Sequence, residues 1–125
     1  MTEPSTKDFK AVELRCKCAE CDRQVPNECD PYALRMLQTL RTRVGVPLVL
    51  NSAYRCANHP DEAKKEKPGT HHKGVAFDIR VPYGRLRMRI IEEALKLGAK
   101  GFGFGKTFLH IDFRMQNEAT SWDYN

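Results

Sequence analysis

Residues 75–81 read VAFDIRV and alternate strictly between the two faces of an extended strand. The apolar face carries Val75, Phe77, Ile79 and Val81, and the opposite face carries Asp78. Successive side chains of a strand point to opposite sides of the sheet, so the Asp78 carboxylate is directed away from the apolar face. The pattern therefore predicts a strand that packs one face on a core and presents Asp78 on the other.

The segment FLHIDF, residues 108–113, repeats this alternation near the C-terminus. Here His110 and Asp112 share one face of the predicted strand. If the two strands are neighbours in a sheet, their polar faces coincide, and Asp78 can meet His110. His71 comes just before the first strand and can fold over the same face.

His71, Asp78 and His110 form a candidate zinc site. Zn²⁺ accepts imidazole nitrogen and carboxylate oxygen at about 2.0–2.2 Å, and three protein ligands leave a fourth position free for water, as in catalytic zinc sites. A turn at Gly74 would supply the bend that His71 needs. Alternatively, His71 is an exposed loop histidine and His110 a hydrogen-bonded core histidine. The matching faces of the three residues favour the metal site.

Two helical patterns accompany the strands. Asp30 followed by Pro31 predicts a helix start, because Asp caps helices well and Pro suits the first helical position, and Gly45 predicts the end. A second amphipathic pattern ends at Gly98. The apolar stripes are Leu34, Leu37, Leu40 and Val44 in the first helix and Leu86, Ile90, Ala94 and Leu97 in the second.

The order of these elements predicts an α+β fold, a small single domain with a central, mostly antiparallel sheet flanked by helices. A chain of 125 residues is long enough for one domain with its own core. Residues 1–10 are polar and aperiodic. They predict a flexible N-terminal lead, so that the domain itself spans residues 11–125.

The formal charge of +5 at pH 7 implies attraction to polyanions, either nucleic acid or an anionic cell-wall polymer. The basic residues are scattered and no nucleic-acid module accompanies them, so we expect no specific nucleic-acid partner. No apolar stretch approaches the roughly 20 residues that span a bilayer, so we expect no membrane span. We expect the protein to be a monomer.

The cysteine pattern leaves three interpretations open. Four of the five cysteines, Cys16, Cys18, Cys21 and Cys29, lie near the N-terminus, and Cys56 stands apart. Their spacing does not match the paired C-x2-C units of a zinc ribbon. The cysteines either bind a second, structural metal ion, or form a disulfide with Cys56 after release, or remain thiols without a role.

Three separated patterns together resemble the M15 zinc peptidases. The patterns are Ser52-x-Tyr54-Arg55-Cys56, His71-x2-Gly74-x-Ala76-x-Asp78-Ile79 and Phe108-x-His110-x-Asp112, followed by Trp122. Their order is that of the family over residues 14–122, and the resemblance is closest to the branch of D-alanyl-D-alanine carboxypeptidases and phage-type peptidoglycan endopeptidases. It implies a Hedgehog/D-Ala-D-Ala peptidase-like fold and zinc-dependent hydrolysis of an amide bond in bacterial peptidoglycan stem peptides.

The resemblance also implies roles for single residues. It assigns zinc binding to the two histidines and Asp78, and substrate binding to Arg55, whose alternative is a surface salt bridge. Ser52 and Tyr54 either hydrogen-bond the substrate or stabilise the turn. No secretory signal is visible, so we expect a phage or prophage type of enzyme, made in the cytoplasm and acting on the cell wall after release.

Two positions depart from the family pattern. Gly69 stands where a Ser is common, and Thr107 stands where several relatives carry an acidic general base. We therefore predict Asp112 as the catalytic proton shuttle, because it shares the face of His110 about 6–7 Å along the strand. Asp112 can alternatively orient His110. His72 is a second candidate for the shuttle.

The missing acidic residue keeps two non-enzymatic alternatives open. One is a catalytically silent zinc-binding module that recognises the cell wall or a protein. The other is a structural interaction domain in which the cysteines form the only metal site.

Overall fold

The computed structural model describes residues 2–65, 67 and 69–124. The strands are β1 (Leu50–Ser52), β2 (Ala76–Arg80), β3 (Gly101–Phe104), β4 (Phe108–Asp112) and β5 (Thr120–Asp123). The helices are α1 (Pro31–Val44), α2 (Pro60–Ala63) and α3 (Arg85–Lys96), and a 3-10 helix spans Ala11–Leu14. In this described part of the chain, no helix combines the length and apolar character needed to cross a membrane.

The strands form one sheet in the order β1-β2-β4-β3-β5. The pairs β1–β2, β2–β4 and β4–β3 are antiparallel, whereas β5 lies parallel to β3 at one edge. The prediction of an α+β fold with a mostly antiparallel sheet is therefore confirmed, and the one parallel pair was not foreseen.

One face of the sheet builds the core. The side chains of Phe77, Ile79, Leu109 and Ile111 are at most 1% exposed. They join one apolar cluster with the buried residues of α1 and α3. Helix α1 begins as predicted, since Asp30 Oδ2 accepts the backbone N–H of Ala33 at 2.9 Å. Because the core occupies one sheet face, the other can carry polar groups.

The buried stripe of α3 differs from the prediction. Leu86 is 41% exposed, and Arg87 takes its place at 2% exposure, in line with Ile90 and Ala94. The Arg87 guanidinium donates to the carbonyl oxygens of Gly105 and Phe108 at 2.8 and 3.1 Å, and also to Val81 O. These backbone acceptors at the strand ends bind Nη2 of the buried guanidinium, whereas its Nε and Nη1 have no hydrogen-bond partner among the described residues.

The predicted lead over residues 1–10 packs against the rest of the domain where it is described. Phe9 is 1% exposed and belongs to the core, and the Thr6 hydroxyl donates to Gln38 Oε1 of α1. Glu3 forms an ion pair of 2.8 Å with Arg15. The core thus includes Phe9, which lies before the predicted start of the domain at residue 11. That division of the chain stays a prediction.

Candidate metal centre

The neighbouring strands β2 and β4 place Asp78 directly opposite His110, as the alternation of both strands predicted. Asp78 Oδ1 lies 3.0 Å from His110 Nδ1 and 3.2 Å from His71 Nε2. His71 approaches from the turn before β2, where Gly74 has a φ of +78°, a conformation that favours glycine. The structure therefore brings the three predicted zinc ligands together, with one ligand atom of each within 4.8 Å of the others.

The second ring nitrogen of each histidine is already engaged. His71 Nδ1 lies 2.7 Å from the Ala53 carbonyl oxygen, and His110 Nε2 lies 2.7 Å from Asp112 Oδ2. Carbonyl and carboxylate oxygens only accept hydrogen bonds, so these two ring nitrogens carry the protons. In the neutral imidazoles, the other two nitrogens then present lone pairs to Asp78 with no proton between them.

Asp78 Oδ1, His71 Nε2 and His110 Nδ1 are three acceptor atoms in close contact, and they need a positive charge among them. Protons on both imidazoles or a metal cation would supply it. Zn²⁺ with bonds of about 2.1 Å holds its tetrahedral ligands about 3.4 Å apart. The observed separations from Asp78 Oδ1 are 3.0 and 3.2 Å, close to that spacing. The donor set therefore fits a zinc ion bound by three side chains of this chain.

The pKa shifts reflect the same charge pattern. Burial would raise the pKa of the Asp78 carboxyl, but hydrogen bonds with His110 and His71 hold it below its usual range. Burial would lower the pKa of His110, but hydrogen bonds with Asp112 and Asp78 raise it above its usual value. The site thus keeps Asp78 ionised next to a partner that favours positive charge.

Asp112 lies behind His110 and is 0% exposed. Its Oδ2 accepts from His110 Nε2, and Arg114 donates to both of its oxygens at 2.8 Å. Gly101 of β3 makes room for it, because a Cβ there would overlap the carboxylate. These contacts do not match the predicted proton shuttle. They support the alternative, in which Asp112 orients His110.

Arg55 lies beside the ligand Asp78. Its Nε donates to Ser52 Oγ at 3.1 Å and its Nη2 to Asp78 Oδ2 at 3.3 Å. Its Nη1 lies 3.6 Å from Asp61 Oδ2. The Arg55 side chain is 17% exposed and forms ion pairs with both carboxylates, so its role in substrate binding stays a prediction. Ser52 holds the guanidinium in position through this contact.

The side chains of Tyr54 and His72 make their contacts away from the three candidate metal ligands. Tyr54 is 3% exposed, and its hydroxyl donates to Glu28 Oε2 at 3.0 Å. Its ring stacks on that of His72, and His72 Nδ1 donates to the Arg55 carbonyl oxygen at 2.8 Å. These contacts do not support substrate binding by Tyr54 or proton transfer by His72. They favour the alternative for Tyr54, stabilisation of the turn that carries Arg55.

A pocket of about 620 Å³ opens over His71 and His110. Its other lining residues are Arg55, Asp61, Lys64, Lys65, Thr70, Trp122 and Tyr124. An adjoining pocket of about 270 Å³ contains Asp78 and Ser52. Arg55 and Asp61 line both pockets. Asp61 was missed in the sequence, where its only signal was its place in the loop-rich region that follows Arg55.

The edge strand β5 forms one wall of the larger pocket. The Trp122 ring lies 5.0 Å from the His110 ring, measured between centroids. Gly103 of β3 permits this, since a Cβ there would lie 2.6 Å from Trp122 Nε1. The segment Thr120–Asp123 thus forms an edge strand of the sheet beside the metal ligands.

Fold and site together define an α+β protein with a candidate mononuclear metal centre in an open pocket. The family model described as Peptidase M15 matches residues 7–112. The chain belongs to this family, whose peptidases are zinc enzymes. No curated protein matches the chain.

Proposed function

We propose that the protein is a zinc metallopeptidase that hydrolyses an amide bond in bacterial peptidoglycan stem peptides. His71, Asp78 and His110 would hold the ion. The observation that carries the proposal is the convergence of the His71 and His110 imidazoles, which line an open pocket, on the buried carboxylate of Asp78, which lines the adjoining one. Family membership supports the peptidase class, and the particular branch, carboxypeptidase or endopeptidase, is the finer part of the proposal.

Zinc at this position would supply a Lewis acid that polarises the scissile carbonyl and lowers the pKa of water towards neutrality. The chain orients the ligands for that purpose. The Ala53 carbonyl fixes the His71 ring, and Asp112, itself held by Arg114, fixes the His110 ring. Such hydrogen bonds to ligand histidines set both the tautomer and the ring direction.

Arg55 would bind the substrate. A guanidinium carries five N–H donors in a rigid plane, which suits a carboxylate or a peptide carbonyl. Ser52, Asp61 and Asp78 hold the group but leave it on the pocket surface. Its position next to Asp78 would place a bound carbonyl close to the metal ligands.

Asp61 is our choice for the proton shuttle. The Asp112 carboxylate is fully buried and both of its oxygens are occupied, whereas the Asp61 side chain is 52% exposed and lines the pocket with His71 and His110. A carboxylate at the pocket wall can take a proton from the attacking water and pass it to the leaving amine. Its ion pair with Arg55 holds it beside the proposed substrate-binding group.

The charge of the pocket favours an acidic peptide. Lys64 and Lys65 line it together with Arg55, and the whole chain carries a formal charge of +5. Peptidoglycan stem peptides carry free carboxylates within an anionic wall, so both local and long-range attraction suit them. In this proposal the protein acts as a monomer on the cell wall after its release, as phage or prophage lysis enzymes do.

Digestion of purified peptidoglycan tests the proposal. We expect new amine and carboxyl ends in the presence of zinc, and mass analysis of the muropeptides identifies the bond that is cut. Chelation and the variant His71→Ala should abolish the reaction, whereas His72→Ala should keep its zinc, because His72 does not line the metal site. Zinc binding without any new amine or carboxyl ends would instead establish the catalytically silent recognition module. That alternative is favoured by Thr107, which stands where several relatives carry an acidic general base.

A further inference from the structure

Four of the five cysteines meet in one place. Cys16, Cys18 and Cys21 come from the N-terminal loop, and Cys56 follows Arg55 directly in the chain. The four sulfur atoms all lie within 4.8 Å of one another, and none of these residues is more than 8% exposed. Cys18 Sγ lies 3.3 Å from Cys21 Sγ and 3.6 Å from Cys56 Sγ. A disulfide between Cys56 and the N-terminal cysteines is one interpretation of the sequence, and the structure places the Cys56 sulfur among three of them.

We propose that Cys16, Cys18, Cys21 and Cys56 bind a structural Zn²⁺ ion, separate from the His71–Asp78–His110 centre. Bonds of about 2.3 Å from zinc to four thiolates place the sulfur atoms about 3.8 Å apart. The observed separations of 3.3 and 3.6 Å are close to that value. Four protein ligands leave no open position, as is usual for structural zinc.

The backbone around the cluster is shaped for a thiolate site. Three of the four cysteines lie on one short segment, in which the Cys21 sulfur also contacts the Cys16 carbonyl oxygen at 3.2 Å. The chain then turns tightly, with the N–H of Asp22 donating to the Cys18 carbonyl oxygen at 2.8 Å. Asp22 and Arg23 adopt φ values of 41° and 60°. Two consecutive non-glycine residues in that region cost free energy, which a metal bond would offset.

The four sulfur atoms face one another at a buried point, where a divalent cation would bind them as thiolates and displace their protons. A disulfide would use only two of the four sulfur atoms, and all five cysteines are free thiols in this structure. Tetrahedral coordination by all four accounts for every member of the cluster.

The ion would fasten the N-terminal loop to the segment that carries Arg55. Residues 15–29 contain no helix or strand in the structure. They contact the segment that leads to Arg55 through the cysteines, through the hydrogen bond from the Tyr54 hydroxyl to Glu28 Oε2 at 3.0 Å, and through Lys17, whose Nζ donates to Leu50 O at 2.9 Å. A cross-link between residues 18 and 56 would therefore fix the backbone on which Arg55 stands.

Metal content of purified, reduced protein tests the proposal. We expect two zinc ions per chain in the wild type. The double variant His71→Ala/His110→Ala should keep one, and Cys18→Ser/Cys21→Ser should keep one or none. Cys29→Ala is the matched control and should bind two zinc ions, because Cys29 is equally buried but lies outside the cluster. Exchange for Co²⁺ should give a thiolate charge-transfer band in the histidine double variant and not in the cysteine variant.

Titration of the wild type with an organomercurial tests the proposal even if the cysteine variant fails to fold. As the thiols react, the protein should release one equivalent of zinc from the cysteine cluster. The proposal is overturned if the histidine double variant holds no metal, if it holds iron in place of zinc, or if alkylation and mass analysis find Cys56 in a disulfide. None of these results depends on peptidase activity, so the proposed function is tested separately.

Discussion

Asp78 Oδ1 lies between His71 Nε2 and His110 Nδ1, at 3.2 and 3.0 Å, so that one carboxylate oxygen contacts both imidazoles. Replacing Asp78 by Asn keeps the shape and removes the charge. We expect zinc affinity to fall by at least about 100-fold, since a neutral amide is a poor ligand compared with a carboxylate. Zinc titration monitored by a competing chelator measures this, and a variant with unchanged affinity would contradict the assignment.

Asp112→Asn should weaken zinc binding by about 10–100-fold, because His110 loses the carboxylate that fixes its tautomer. At saturating zinc, turnover should be close to that of the wild type. Steady-state rates measured across a range of zinc concentrations separate the two effects. A large loss of kcat that excess zinc does not restore would return Asp112 to the role of proton shuttle.

Asp61→Asn should lower kcat by about 100-fold or more while the bound zinc stays the same, because it removes the proton acceptor from the pocket wall. Steady-state kinetics together with metal analysis of the purified variant measure both quantities. Glu92→Gln on the exposed side of α3 is a control with no expected effect. A kcat of Asp61→Asn equal to that of the wild type would exclude this role.

Arg87→Ala should destabilise the fold by about 2–4 kcal/mol, because it removes a buried side chain and the hydrogen bonds from Nη2 to the carbonyl oxygens of Val81, Gly105 and Phe108. Arg89→Ala, an exposed position on the same helix, should change the free energy of unfolding by less than about 0.5 kcal/mol. Urea unfolding of both variants measures the difference. Equal effects would mean that the Arg87 contacts contribute little.

Glu3 predicts a specific pH dependence of stability. Its hydrogen bond with Arg15 is the main reason that its pKa is lowered from 4.5 to about 2. A carboxyl with a lowered folded-state pKa stabilises the fold above its unfolded-state value, and this contribution is lost as the pH falls from about 4.5 to about 2. Glu3→Gln should therefore cost about 1 kcal/mol at pH 7, a modest value because the ion pair is partly exposed, and almost nothing near pH 2.

Unfolding curves of Glu3→Gln and the wild type at several pH values check this, with exposed Glu118→Gln as the control. A flexible N-terminal lead would make Glu3→Gln indistinguishable from the control at every pH. The experiment thus also decides whether residues before 11 belong to the folded domain.

The sequence predicted those parts of the site that depend on local periodicity. Alternation along two strands fixed the faces of Asp78 and His110, and the strands proved to be neighbours. The role of Asp112 was less certain, because a shared face does not reveal which atoms of His110 it contacts. Its contact with the far ring nitrogen depends on the histidine rotamer and on Arg114.

Features that depend on distant segments could not be predicted. Asp61 reaches the pocket through the course of an irregular loop, and Arg87 is buried because carbonyl groups from two other segments meet it. Cys56 joins cysteines nearly forty residues away, and no periodicity encodes such a meeting. The charge of Arg87 and the amphipathic pattern of its helix left it outside the predicted apolar stripe. The carbonyl oxygens that accept its hydrogen bonds allow its burial in the structure.

The match to the family ends at residue 112, whereas the aromatic wall beside His110 comes from β5, eight residues further along. The candidate metal ligands and this aromatic wall therefore lie on separate stretches of one polypeptide. Exchanging the segment after Arg114 would change that wall of the pocket while His71, Asp78 and His110 stay in place.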